Sequence, residues 1–246
     1  MSTKIGQAGS DENSQRLLLQ TLADDLALPL LHVKTSLELI NKLSLPSRAH
    51  GHFERLSLST EAGLKLVEAY RLALSLGSRQ LELEPVAIGV ILEDTAEQLA
   101  PYAKQYSTAI EIDIRPGLRP VLANRASLIT ALQCLGISLI RTQASQKAAR
   151  KKHRFVIGAH RSGPQTVSAG MFGSVKGVGA KALHTARTLA GQARQPIIAA
   201  PLGSAGGVLV ADMLCGAMWQ PLRAGTHNHL SGLVTDFSIS KQLALV

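Results

Sequence analysis

Two apolar stripes at helical spacing near the N-terminus do most to limit how this chain can fold. Leu22, Leu26, Leu30, Val33, Leu37 and Ile40 are separated by steps of 4, 4, 3, 4 and 3. That spacing keeps them on one face of an α-helix. Pro29 lies inside the run and is expected to kink the helix or remove one of its hydrogen bonds. The segment Leu43 to Ser47, with Pro46, reads as a turn. A second helix then runs from about Arg48 to Leu76. Its stripe of Phe53, Leu56, Thr60, Gly63, Val67, Tyr70 and Leu74 alternates steps of 3 and 4, the heptad period of coiled-coil packing. Two antiparallel helices with one narrow apolar face each cannot bury that face alone, whereas two copies of the pair can do so as a four-helix bundle. The hairpin is therefore expected to dimerise.

The remainder changes character. Gly77 to Pro85 reads as a linker with a short strand-like run, Leu81-Glu82-Leu83, and Pro85 opens a new unit. Helices are expected over Ile88–Tyr106, Arg125–Thr142 (capped by Asn124), Val175–Ala193 and Val208–Ala217. Strands are expected over Ala109–Ile114, which alternates, Arg119–Leu122, Arg154–Ala159 and Leu233–Ile239. In the Arg125–Thr142 helix, Leu128, Ala131, Leu132, Leu135, Ile137 and Leu139 are placed inward. The expected class is α+β: a tail over residues 1–14, a helical hairpin over 15–78, and a two-layer α/β sandwich over 79–246.

Charge separates the two halves. The formal net charge is +9, and of the 17 acidic residues all but Asp212 and Asp236 lie at or before Asp113. Residues 114–211 hold no Asp or Glu, so carboxylate chemistry and hard-metal ligation have no ligands there. The run Lys147 to Arg154, including Lys151 and Lys152, is the strongest polyanion signal. Aromatics at 3% give few platforms for base stacking. The two cysteines, Cys134 and Cys215, exclude a disulfide framework or a cysteine-rich zinc module and read as buried thiols. No run of about 20 apolar residues suits a membrane span, and Met1–Ser14 lacks the apolar stretch of a signal peptide. The expected place is the cytoplasm, with any membrane association through a partner.

This layout resembles the transmitter core of bacterial sensor histidine kinases, a dimerising helical hairpin followed by an ATP-binding sandwich of the GHKL type. The resemblance covers about Leu17 to Ala244. The family motif of the type His-Glu-Leu-Arg-Thr-Pro-Leu is matched by Asp24-Asp25-Leu26-Ala27-Leu28-Pro29-Leu30, where Asp24 replaces the phospho-accepting His. The Asn-Leu-Leu-Asp-Asn-Ala type, which brings an amide oxygen to magnesium, is matched by Cys134-Leu135-Gly136-Ile137-Ser138-Leu139, where only Ser138 offers an oxygen. Asp-x-Gly-x-Gly is matched by Arg161-Ser162-Gly163-Pro164-Gln165, and Arg161 cannot accept from an adenine amino group. The phosphate-contacting glycine loop is matched by Gly203-Ser204-Ala205-Gly206-Gly207. The family's mobile lid falls on Gly173–Ala199, which reads as a small-residue helix packed down.

The resemblance therefore implies a histidine-kinase-like protein without catalytic residues. Ser138, Arg161, Gly163, Gly203, Gly206 and Gly207 would be a vestigial nucleotide site, with no cofactor expected. Leu22, Leu26, Leu30, Val33, Leu56, Val67 and Leu74 would form the dimer and partner surface, with a response regulator as the partner near Asp24. His32, eight residues past Asp24, faces elsewhere on the helix and is a poor substitute acceptor. His50 and His52 read as solvated, and His227 with His229 as a loop pair without a supporting acid for a metal. Two alternatives stand: an active kinase with ATP and magnesium held by divergent contacts, or a nucleic-acid-binding regulator using residues 141–161.

Overall fold

The computed structural model describes residues 23, 26–42, 46–76, 81–144, 153–175, 177–189 and 202–241. The chain divides into two compact units, residues 1–77 and 78–246.

In the first unit, α1 (26–41) and α2 (Ser47–Leu76) are joined across Pro46. Gly63 lies against the Leu30 side chain, with the two sites at similar distances from the connection, so the helices fold back as a hairpin. Pro29 lies within the described part of α1. Leu37, Thr60 and Leu64 are buried, and Leu30, Val67 and Leu74 are half-buried. Leu26, Val33 and Leu56 of the expected stripes are 58%, 45% and 57% exposed in the single chain.

The second unit is a mixed sheet with helices packed on it. The elements are β1 (Glu84–Val86), α3 (Ile88–Gln105), β2 (Thr108–Ile114), β3 (Val121–Ala123), α4 (Arg125–Ala144), β4 (His153–Gly163), β5 (Thr166–Gly173), α5 (Val178–Leu189), α6 (Leu202–Ala217), β6 (Arg223–His227) and β7 (Leu230–Ser238). The five-stranded sheet runs β2-β4-β5-β7-β6, and β1 pairs with β3 separately. Only the β2–β4 pair is parallel, and the chain crosses between those two strands through α4, as a parallel pair requires.

Local chemistry sets several boundaries. Asn124 caps α4: its Oδ1 accepts from the Ser127 amide at 3.0 Å, which satisfies one free donor of the first turn. Helix α4 is buried almost all round, which marks a helix enclosed by neighbours. Its inward set holds except for Ile137, which is half-buried. Gly136 admits Leu99 of α3, whose Cδ1 stands 2.3 Å from where a Cβ would be.

Four expectations are corrected. The strand after the hairpin is Glu84–Val86, not Leu81–Leu83; Pro85 fits because a two-stranded pair leaves one edge free of hydrogen bonds. Strand β5 has no counterpart among the expected elements. It lies between β4 and β7 and its middle six residues are buried, so it shows no alternation. Strand β6 likewise has no counterpart, and β7 starts three residues earlier than expected. Finally, β2 does not alternate cleanly, because it is an edge strand and Ile112 is 47% exposed.

Candidate functional site

The seam between α4 and α6 holds Ser138 and the glycine run. The glycines do not form a loop before a helix: α6 begins at Leu202 and includes Gly203, Gly206 and Gly207. Only the first four amides of a helix lack an internal acceptor, so the Gly206 and Gly207 amides are engaged within α6. Gly207 packs directly on α4. A Cβ there would stand 2.1 Å from Ser138 Oγ and 2.7 Å from the Cys134 carbonyl oxygen. Ser138 is 4% exposed, and its carbonyl accepts from Thr142 Oγ1 at 2.6 Å. This glycine therefore serves close helix packing. Cys134 and Cys215 are buried and form no disulfide, and burial, with Asp212 nearby, pushes the Cys215 thiol up to about 12. A thiol so shifted is inert at neutral pH.

Arg161 and Gly163 lie at the end of β4, in the hairpin that turns into β5. Arg161 Nε donates to the Gly163 carbonyl at 3.0 Å and its Nη2 to the Pro164 carbonyl at 2.9 Å. The Arg161–Gln165 run is thus a hairpin tip, not the exit of a strand into the lid segment. That exit is the end of β5, at Gly173, and the unrecognised strand is the reason for the misplacement. At Gly173 the space of a side chain is filled by Gln143 of α4, whose Oε1 lies 2.5 Å from an ideal Cβ. Gln143 Nε2 donates to Thr108 Oγ1 at 3.4 Å. Gln143 and His153 are both buried, and Gln143 Oε1 and His153 Nε2 have no hydrogen-bond partner among the described residues.

The other face of the sheet holds a small apolar cluster, Val156, Phe172, Leu230 and Val234, roofed by ion pairs. His227 Nε2 stands 2.7 Å from Asp113 Oδ2, and its ring lies 5.1 Å from that of Phe172. His227 therefore ends a strand and has an acidic partner, which its neighbours in sequence did not reveal. Among the described residues no group of three or more His, Cys, Asp or Glu is placed to hold a metal. Arg154 donates to Glu111 through Nε and Nη2 at 2.7 and 2.6 Å. Arg223 bonds Asp236 in the same two-pronged way, and Ser168 donates to the same carboxylate.

Arg223 foremost, then Ser168, holds the Asp236 carboxyl below its ordinary value of 3.8, against the opposing effect of burial. A depressed folded value stabilises fully above the unfolded value, and the gain is lost as pH falls through the folded one. The urea midpoint of the parent protein should therefore exceed that of Asp236→Asn at pH 6, and the difference should shrink as pH is taken below the ordinary carboxyl value of 3.8. A constant difference would mean that the carboxylate's charge is not what matters.

Asp24 and Leu22 lie outside the described residues, as do Lys151 and Lys152. His32 is exposed on α1, and its carbonyl accepts from Ser36 Oγ at 2.8 Å. Of the basic stretch, Arg154 and Arg161 are engaged as above. No helix among the described residues is long and apolar enough to cross a membrane.

No family model matches the chain, and no curated protein matches it in sequence. Solved structures match its fold. Full-length ShkA in complex with AMPPNP is matched over 90% of this chain and 45% of that one, at 19% identity and a TM-score of 0.55. This chain thus spans under half of that protein. The Acinetobacter baumannii histidine kinase AdeS is matched over 87% and 96%, at 12% identity and a TM-score of 0.49. The mycobacterial sensor histidine kinase MprB is matched over 63% and 97%, at 12% identity and a TM-score of 0.46. The hairpin, the helix-covered mixed sheet and the full-length ShkA match lead to one conclusion about architecture: this chain has the fold of a histidine kinase transmitter core, a helical hairpin followed by an α/β sandwich.

Proposed function

We propose that the chain is a catalytically degenerate, histidine-kinase-like protein of two-component signalling, which acts as a dimeric adaptor in the cytoplasm. The observation that carries this reading is the closed α4–α6 seam. In the resemblance, a magnesium-binding side chain on the first of these helices faces a glycine loop ahead of the second, with the phosphates between. Here Gly207 lies on Ser138 and on the Cys134 carbonyl, and α6 starts before its glycines. Asp24 stands where the phospho-acceptor would be.

Binding of partners is supported by α1. Leu26, Val33 and Ile40 lie along one side of it, and Leu28, Leu31 and Leu39 along the other; all six are at least 38% exposed. A helix apolar on several sides is stable in water only when covered. The first set continues the heptad face of α2 and suits a second copy. The second suits a response regulator.

Thermal unfolding with ATP, ADP and GTP, each with and without magnesium, tests the reading. A ligand at about 100 times its dissociation constant adds roughly 2.7 kcal/mol, a rise in Tm of about 5–11 °C at this size. The expected result is no shift with any nucleotide. A magnesium-dependent rise with ATP alone would overturn it in favour of an active kinase. The phosphorylated residue would then be sought, beginning with His32→Ala.

A further inference from the structure

We propose that the free edge of β2 is a docking site for an extended, basic segment of a partner protein, which adds to the sheet as a further strand beside α3. Strand β2 ends the sheet on one side. It pairs in parallel with β4 from Thr108 to Ile114 without a shift of register. The Arg115 amide donates to the Ala159 carbonyl at 2.9 Å, and the Ser107 carbonyl accepts from the His153 amide at 3.1 Å. Successive residues of a strand turn their amides and carbonyls to opposite sides. The odd-numbered residues of β2 therefore bond β4, and the backbone groups of Ile110 and Ile112 turn to the open edge. Among the described residues no strand lies there. Edge strands are commonly guarded by a proline, a lysine or a bulge. The run Thr-Ala-Ile-Glu-Ile-Asp-Ile has none of the three.

On the helix side this edge is flanked by α3. Ile110 and Ile112 share that side with their register partners Phe155 and Ile157, which are fully buried. Yet Ile110 and Ile114 are only half-buried and Ile112 is 47% exposed. A Cβ at Gly89 of α3 would stand 3.7 Å from Ile114 Cγ2. Glu93, Ala96 and Ala100 continue the Gly89 stripe at steps of 4, 3 and 4. Four residues of helix and two of strand each rise about 6 Å, so Glu93 stands level with Ile112. The small residues of the stripe leave room for an added strand.

Charge decides the occupant. In a chain of net charge +9, every acidic residue beyond Glu84 except Asp212 and Asp236 lies on α3 or β2. Glu111 and Asp113 of β2 are engaged on the other face, by Arg154 and His227. Glu93, Asp94 and Glu97 of α3 are exposed. A second copy paired two-fold along β2 would set these acids against their own counterparts, which is repulsive. A segment with apolar side chains beside Ile110 and Ile114 and a Lys or Arg at Glu93 is complementary, and its backbone would bond the open edge as in other strand-addition complexes. The site lies wholly within the second unit and rests on neither the hairpin faces nor the nucleotide question.

The test adds the synthetic peptide Thr-Val-Thr-Lys-Thr-Val-Thr, capped at both ends, to the full chain and follows amide hydrogen exchange by NMR. In a strand its valines and lysine share one face. Saturable binding should slow exchange at the Ile110 and Ile112 amides, while β6 at the opposite edge keeps its rates. In Glu93→Lys, a change at an exposed position, affinity should fall about five- to tenfold. The peptide with Glu in place of Lys should reverse that preference and bind Glu93→Lys better than the parent. No slowing at Ile110 and Ile112 would overturn the proposal, as would equal affinity of the lysine peptide for the parent and for Glu93→Lys. Slowing that grows with protein concentration in the absence of peptide would overturn it in favour of a second copy on this edge.

Discussion

Gly207→Ala is expected to lower Tm by about 4–8 °C, a loss of about 2 kcal/mol. On propensity alone the change should help, because alanine favours a helix interior over glycine by about 0.8–1 kcal/mol. The added Cβ would stand 2.1 Å from Ser138 Oγ and 2.7 Å from the Cys134 carbonyl oxygen. The second neighbour is backbone of a buried helix, so relief requires α4 and α6 to separate. Overpacking of this kind costs about 1–3 kcal/mol and sometimes more, which outweighs the propensity gain. Gly51→Ala is the control. Gly51 lies in α2 with nothing within 4 Å of a Cβ, so there the propensity gain should stand alone and stability should rise. Adding Ser138→Ala to Gly207→Ala should recover only part of the loss, since the carbonyl contact remains. A Gly207→Ala protein as stable as the parent would show that the seam has room, and would remove the main support for a degenerate nucleotide site.

Leu26→Asp and Leu56→Asp are each expected to convert a dimer to a monomer without unfolding the hairpin. Both side chains are more than half exposed in the single chain, so the monomer's own packing does not depend on them. In a two-fold dimer each substitution occurs twice. Losing the burial of two leucines removes about 3–6 kcal/mol, or roughly 10²–10⁴-fold in dissociation constant. Desolvating two aspartates would add to that loss. Light scattering should report half the parent mass, with helical circular dichroism retained. A dimer persisting in both variants would place the interface away from this face.

The two halves of the chain were legible to different degrees, for a physical reason. Helices α2, α3 and α4 were read nearly to their ends. Each carries its periodic signal within one continuous segment, and Asn124 marks the start of α4 by a local bond. Strand β5 was invisible because enclosure by β4 and β7 on its edges, and by apolar layers on both faces, erases the alternation that identifies a strand. Missing it displaced the match of Arg161 by one strand. Gly203–Gly207 were read as a loop because glycine is a poor helix former. Packing against Ser138 and Cys134 overrode that preference, as a close helix crossing can.

The sequence by itself determined the helical hairpin, the order of most elements in the sandwich and the absence of acids over residues 114–211, because period, caps and charge are properties of neighbours in the chain. Only the tertiary structure decided which groups meet. His227 reaches Asp113 and Arg187 reaches Asp212 across separate elements, and Gly207 closes on α4. Such contacts depend on how the elements pack, which no local spacing encodes.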